Sequence, residues 1–311
     1  MLEPSRFPAL ALLALLGACT AAPAHRVDVA RIEHDVENLL AGHGSPVRAG
    51  LWLGDARSAL WSRDAERAMP AASAIKTAFL VEWFAEHAAG LDERPSAFAA
   101  LCADTTHPAF THFEAPLRSE IARDLSHASV REVGRAMIRG TGVSNGVYNA
   151  AANLVTAALD GPAALTARIH ARDPAFASIH GRRYMLAARN AGDNEASPAS
   201  LAAVLQRIAG GDLAGVDDAT LAAIRDVMRG RDDPRFGAHW QKSGALDTDP
   251  ITRVESGCFP LDGTPLVYVV MLAQDDAGTT SAAEAGARLG RLALALRDLM
   301  LESVAVRSGT R

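Results

Sequence analysis

The chain has almost no lysine. Of its 31 basic residues only Lys76 and Lys242 are lysine, and the other 29 are arginine. Cysteine is scarce too: three in 311 residues. Cys102 and Cys258 are the only pair a mature exported chain would keep, and nothing in the sequence alone brings them together. Net charge is −5, and no Lys/Arg-rich run is present, so the charge gives no reason to expect nucleic acid as a partner. Past the N-terminus there is no apolar run of the roughly 18 residues that a membrane helix needs, no internal repeat and no low-complexity segment. What remains is 49% apolar and 22% charged, the composition of an ordinary globular chain, long enough for one large domain or two small ones.

Residues 1–18 read as an export signal. Arg6 is the only base ahead of a ten-residue apolar stretch at 7–16, too short to span a bilayer. Leu16-Gly17-Ala18-Cys19 resembles a bacterial lipobox. In that motif the cysteine is acylated and becomes the new N-terminus, and each buried CH₂ of its acyl chains contributes about 0.8 kcal/mol to anchoring. The expectation is a periplasmic, membrane-anchored lipoprotein with lipid on Cys19, a tether at 19–27 and a folded, monomeric domain at 28–305. The other reading is a secretory signal cut near Ala22.

Apolar spacing at Val29, Ile32, Val36, Leu39 and Leu40 predicts a first helix, and 47–54 and 58–62 read as strands around a Gly54-Asp55 turn. From 73 to about 230 the pattern is mostly helical and Ala-rich. Strand character returns at 239–245, 252–258 and 265–272, with Asp262-Gly263 as a hairpin signal. A last helix carries Leu289, Leu292, Leu296, Leu299 and Met300 on one face. The simplest architecture is an α+β domain. Five antiparallel strands are covered by the N- and C-terminal helices (28–71 and 235–305), with a helical lobe (72–234) inserted after the second strand. A site belongs in the cleft between the lobes.

The two lysines mark that site. Exchange of Lys for Arg elsewhere implies that a solvated charge is nearly all those positions require. A position that resists exchange needs what only lysine has, an ammonium that can lose its proton. Lys76 stands in Ser73-Ala74-Ile75-Lys76 and Lys242 in Lys242-Ser243-Gly244. That the only two lysines head S-x-x-K and K-[ST]-G by chance has a probability of roughly one in a thousand. Ser73 and Lys76, three apart at a helix start, share a face, so a neutral amine can take the hydroxyl proton and make Ser73 a nucleophile. The helix start offers positive potential and free N–H groups to the attacked carbonyl. Lys242 adds a second cation, which depresses the first lysine's pKa and attracts an anionic substrate group.

With these motifs the chain resembles the class A β-lactamase family, and more loosely the penicillin-binding D,D-peptidases that share its fold. The likeness runs from about residue 28 to 302 and is carried by Ser73-Ala74-Ile75-Lys76, Lys242-Ser243-Gly244-Ala245 and Asn149-Ala150-Ala151-Ala152-Asn153-Leu154. The resemblance implies a serine hydrolase without cofactor, acting on a small molecule, with Lys242, Ser243, Gly244 and Ala245 lining the substrate site. The family's S-D-N triplet falls on Val147-Tyr148-Asn149. Its Asn is kept, and the place of its Ser falls either to Ser144 or to the Tyr148 hydroxyl. The family's E-x-x-L-N has no match in 179–198: aligned on Leu186, the acid's place holds Arg183, with Asp193 and Glu195 nearby. The resemblance therefore implies slow deacylation. It also gives Arg253, on the strand beyond Lys242, a part in binding the substrate carboxylate. A penicillin-binding or D,D-peptidase-like protein, or a non-catalytic envelope lipoprotein, are the alternatives. His107, His112 and Glu114 match no zinc spacing, and no His sits in a G-x-S-x-G context.

Overall fold

The computed structural model describes residues 25–261, 264–275 and 280–306. Signal, lipobox, Cys19, most of the tether and the Asp262-Gly263 turn lie outside them. The described chain opens with strand β1 (His25–Val27), helix α1 (Val29–Gly42), β2 (Arg48–Asp55), β3 (Ala59–Arg63) and β4 (Met69–Pro70). After a 3-10 turn at Ala72–Ile75 come α2 (Lys76–Glu86), α3 (Ser96–Ala103), α4 (Ala115–Leu125), α5 (Val130–Arg139), α6 (Asn145–Ala158) and α7 (Pro162–Arg172). Then follow β5 (Glu195–Ala196), α8 (Pro198–Gly210), α9 (Asp218–Met228), β6 (Trp240–Gln241), β7 (Gly244–Leu246), β8 (Ile251–Phe259) and β9 (Leu266–Gln274). The chain closes with α10 (Ala282–Glu302) and β10 (Val304–Val306), which pairs with β1.

The main sheet is antiparallel, in the order β3-β2-β9-β8, with both β6 and β7 on the outer edge of β8. The expected α+β fold is present. The sheet counts six strands rather than five because its last strand breaks at Lys242-Ser243 into β6 and β7. The pairs β1–β10 and β4–β5 are two or three residues long, too short to leave a period-two pattern in the sequence.

β9 shows why the sheet reads as a continuous apolar run. It is buried on both faces, so alternation does not separate polar from apolar. Leu266, Tyr268, Val270 and Leu272 pack with α1 and α10, whereas Val267, Val269, Met271 and Ala273 join the core of the helical lobe. β8 obeys the same parity: Ile251 and Phe259 face α10, Val254 and Cys258 face the lobe. Cys102 and Cys258 are unpaired, and burial raises both thiol pKa values, that of Cys102 to about 11.

Helix α2 is the axis of the lobe and packs against α5, α6, α7 and α9. Phe79, Leu80, Trp83 and Phe84 are fully enclosed, and the Trp83 indole donates to the Val130 carbonyl at 3.0 Å. On the same helix Glu82, 4% exposed, takes a two-pronged ion pair from Arg172 at the end of α7 (2.5 and 2.8 Å). Breaking one side of a buried pair leaves an uncompensated charge, at a cost of about 3–5 kcal/mol. Arg172→Met is therefore expected to destabilise by that amount in urea titrations, and Glu82→Gln/Arg172→Met together by clearly less than either change alone would suggest.

Candidate active site

The segment before Ser73 is held from two sides. β4 pairs with β5, Met69 opposite Ala196 and Pro70 opposite Glu195, and the Ala71 N–H donates to the Asn194 carbonyl at 2.9 Å. The chain then turns through Ala72, buried at φ +47°, a left-handed conformation that costs a non-glycine residue about 1–3 kcal/mol. That turn presents Ser73 half-buried at the floor of a cleft.

Glycine at 244 is required here. A Cβ on Gly244 would come within 2.8 Å of the Ser73 nitrogen and 3.0 Å of the Ala74 nitrogen, so β7 touches the Ser73 turn backbone to backbone. The Lys242 N–H bonds the Ser256 carbonyl at 3.0 Å, and Gly244 stands opposite Val254. In an antiparallel ladder alternate residues turn their N–H groups away from the partner. Ser243 and Ala245, both exposed, therefore aim theirs at the free edge, where Ser73 lies. The 3-10 turn and this edge can jointly donate to one carbonyl oxygen.

Lys76 is fully buried. Its Nζ donates to Asn149 Oδ1 at 3.0 Å and to the Tyr148 carbonyl at 3.4 Å, and sits 3.2 Å from the centroid of the Tyr148 ring. Lys242 Nζ lies 5.2 Å from the same ring and donates to the Ser243 carbonyl at 3.0 Å. Burial first, and the charge of Lys242 second, hold the Lys76 pKa well below the ordinary lysine value. In this resting arrangement the amine's hydrogen bonds go to α6 rather than to Ser73. Such bonds commonly tighten only with substrate bound.

The opposite wall is the loop 177–197. Asn153 of α6, fully buried, clamps it by accepting from the Met185 N–H (2.6 Å) and donating to the Met185 carbonyl (3.1 Å). Arg183, Met185, Leu186, Asp193 and Asn194 line the cleft with Ser73, Tyr148 and Asn149. Arg183 and Asp193 form an ion pair at 2.9 Å, 12% and 10% exposed, and Arg189 adds a contact to Asp193 at 3.2 Å.

A family model described as the beta-lactamase enzyme family matches residues 31–297. The chain belongs to that family. Among solved structures, a mutant of the class A β-lactamase of the last common ancestor of Gram-negative bacteria is similar at 20% identity and a TM-score of 0.63. The match covers 88% of this chain and 98% of that one. The last-common-ancestor enzyme itself gives 20% identity and a TM-score of 0.62, with the same coverage. No curated protein sequence matches.

Within this β-lactamase-family fold, Ser73, Tyr148, Asn149 and Ala245 line one cleft, with Lys76 beneath it, Gly244 against the Ser73 turn, and Lys242 and Ser243 beside it. Three expected residues stand elsewhere. Ser144 is exposed and caps α6, its Oγ accepting from the Val147 N–H at 3.2 Å, so the residue in the cleft is Tyr148. Arg253 has the odd parity in β8 that faces α10. It packs on Gly286, donates to the Leu246 and Thr252 carbonyls and pairs with Asp247 at 2.5 Å. It is not in the cleft. Glu195 sits in β5, paired with Arg182 at 2.6 Å. His107 accepts from the Ala109 N–H and His112 meets the Met185 carbonyl, so both rings serve the backbone. The clamp residue Asn153 lay inside the motif read from the sequence but carried no separate signal there.

Because the chain has only two lysines, their Nζ groups are a ready probe. NMR of the ¹⁵Nζ-lysine-labelled protein is expected to show Lys76 titrating well below the ordinary lysine value. Lys242→Met removes a neighbouring cation, so the Lys76 titration should move to higher pH. An ordinary lysine titration for Lys76 in the wild type would refute the burial argument.

Proposed function

We propose that this protein is a serine hydrolase that opens a β-lactam, or a similar amide or ester, through an acyl-enzyme on Ser73. The observation that carries the reading is the full burial of the Lys76 amine at the base of the cleft. With its pKa held well below the ordinary lysine value, it takes the Ser73 proton as Oγ attacks the carbonyl carbon. The negative oxygen is received by the N–H groups of the 3-10 turn and of Ala245. The proton passes to the leaving nitrogen or oxygen by way of the Tyr148 hydroxyl; the Tyr148 ring is 3.2 Å from the Lys76 amine and 5.2 Å from that of Lys242. Lys242 and Ser243 bind an anionic group of the substrate, and the Asn149 amide orients its acyl side.

Deacylation is expected to be slow. It needs a carboxylate free to activate a water, and Asp193 is the acid among the residues lining this cleft. Two arginines already hold that carboxylate, and losing a general base costs about 10²–10⁴ in rate. A long-lived acyl-enzyme of the penicillin-binding kind is the second reading, favoured by the same ion pair. Rapid mixing with nitrocefin should give a burst of about one lactam opened per protein, followed by a slow steady state. Ser73→Ala should abolish both the burst and labelling by a fluorescent penicillin, and Lys76→Arg should abolish the labelling, since guanidinium cannot act as base. Fast turnover without a burst, lost in Asp193→Asn, would show that Asp193 serves as the base despite its pairing.

The lipobox reading stands beside this one: we propose a periplasmic enzyme anchored by lipid on Cys19. Intact-mass analysis should find acyl mass on an N-terminal Cys19, absent in Cys19→Ala. A soluble mature form starting near Ala24 would refute the anchor.

A further inference from the structure

The Ser73 cleft is small, about 130 Å³, but the surface beside it is not closed. One residue before Gly244, a cavity of about 400 Å³ begins, walled by Gln241, Lys242 and Ser243 on one side and by Arg139, Arg229 and Arg231 on the other. Arg139 and Thr141 also wall a third cavity of about 500 Å³, to which Arg94, Arg123 and Arg135 belong. Two shared residues make these cavities one groove, running from the Lys242-Ser243 break in the sheet edge along α5.

The charge of this groove opposes that of the molecule. The chain carries −5 overall, yet the groove is lined by seven cationic side chains and two carboxylates, Asp124 and Glu132. Both acids are committed, Asp124 to Arg123 at 2.6 Å and Glu132 to the Ser129 N–H at 2.7 Å in the cap of α5. Arg135 pairs with Asp226 at 2.9 Å and Arg229 with Asp232 at 3.1 Å. These are exposed contacts of the kind that contribute little. Arg139 donates to the Val227 and Asp226 carbonyls at the end of α9. Among the described residues, no carboxylate oxygen lies within ion-pair distance of the guanidinium groups of Arg94 and Arg231, although the Arg94 charge reaches Glu132. An open groove with unspent guanidinium groups suits carboxylates, which they bind two-pronged.

We propose that the groove binds an acidic, peptide-like extension of the acyl donor carrying two or more carboxylates, so that the preferred substrate is an anionic peptide-like amide or ester. The inference rests on Ser73 as the acylated residue, because the groove opens beside it. Fluorescein-labelled hexaglutamate is the probe, with hexaserine as the neutral control. On the full chain carrying Ser73→Ala, fluorescence polarisation should show hexaglutamate binding that weakens steeply with salt, and little hexaserine binding. Arg94→Gln and Arg231→Gln should each weaken binding about two- to fivefold, the scale of one exposed ion pair. Arg291→Gln, an exposed arginine on α10, should change nothing. Unlabelled hexaglutamate should also slow labelling of wild-type Ser73 by fluorescent penicillin, whereas Arg291→Gln leaves that labelling intact.

Equal binding of hexaserine, indifference to Arg94→Gln and Arg231→Gln, or binding that leaves Ser73 labelling untouched would overturn the proposal. So would stronger displacement by a hexathymidylate, which would mark a phosphate-binding surface instead. If Ser73 is never labelled while hexaglutamate still binds through Arg94 and Arg231, the serine hydrolase reading is what fails, and the groove stands as an acidic-peptide site alone.

Discussion

Taking an amine out of water is costly, and the Lys76 amine lies wholly out of it. An ammonium there would forfeit several kcal/mol of hydration, so the site is arranged to keep the group tolerable with little charge. Asn149 Oδ1 and the Tyr148 carbonyl accept from it, and the Tyr148 ring covers it. Asn149 is in turn held by Asn145, through its carbonyl at 2.9 Å and its side chain at 3.1 Å. The first turn of α6 is fixed by the Ser144 cap. A chain of local interactions thus runs from a helix cap to the protonation state of one amine. It explains why lysine persists at 76 in a chain otherwise rich in arginine: guanidinium stays charged at any accessible pH, and no buried Asn and carbonyl could offset that charge.

The placing of Ser73 depends on a second constraint, close approach of backbone to backbone. Ala72 accepts a left-handed conformation because β4, β5 and the Ala71–Asn194 hydrogen bond leave the turn no alternative. Gly244 lets the sheet edge close on that turn. The two motifs therefore meet for different reasons. S-x-x-K supplies the helix start, whereas K-S-G supplies a cation, an edge with outward N–H groups, and the one residue small enough to admit the other motif.

Much of this was readable in the sequence, and the failures share a cause. Strand positions, the terminal helices, the inserted helical lobe and the pairing of the two lysines followed from periodicity and from the lysine census. What did not follow was facing. β8 is buried on both sides, so its apolar content does not reveal parity, and a shift of one residue sends Arg253 to α10 instead of the cleft. Ser144 precedes a helix, where a serine is both the commonest cap and a plausible relay. In the fold its Oγ is spent on the Val147 N–H. The loop at 177–197 has no period at all; it is placed by Asn153 and by the short β4–β5 ladder, neither of which has a sequence pattern of its own.

The same loop sets two demands on one carboxylate. Asp193 lines the cleft, where a base for water would be useful, yet it also neutralises Arg183 and Arg189. Arg189 continues across the mouth of the cleft to Thr248 and Asp249, between β7 and β8. The ion pairs thus tie the loop to the sheet lobe. Both guanidinium groups converge on Asp193 Oδ1. If it let go of them to activate a water, two part-buried arginines would lose their counter-charge and the loop its anchor. Under the proposed acyl-enzyme reading, stability of the wall and hydrolysis would compete for Asp193. Among the described residues Asp193 is the one acid lining the cleft, and in the resting structure it is bound into the wall.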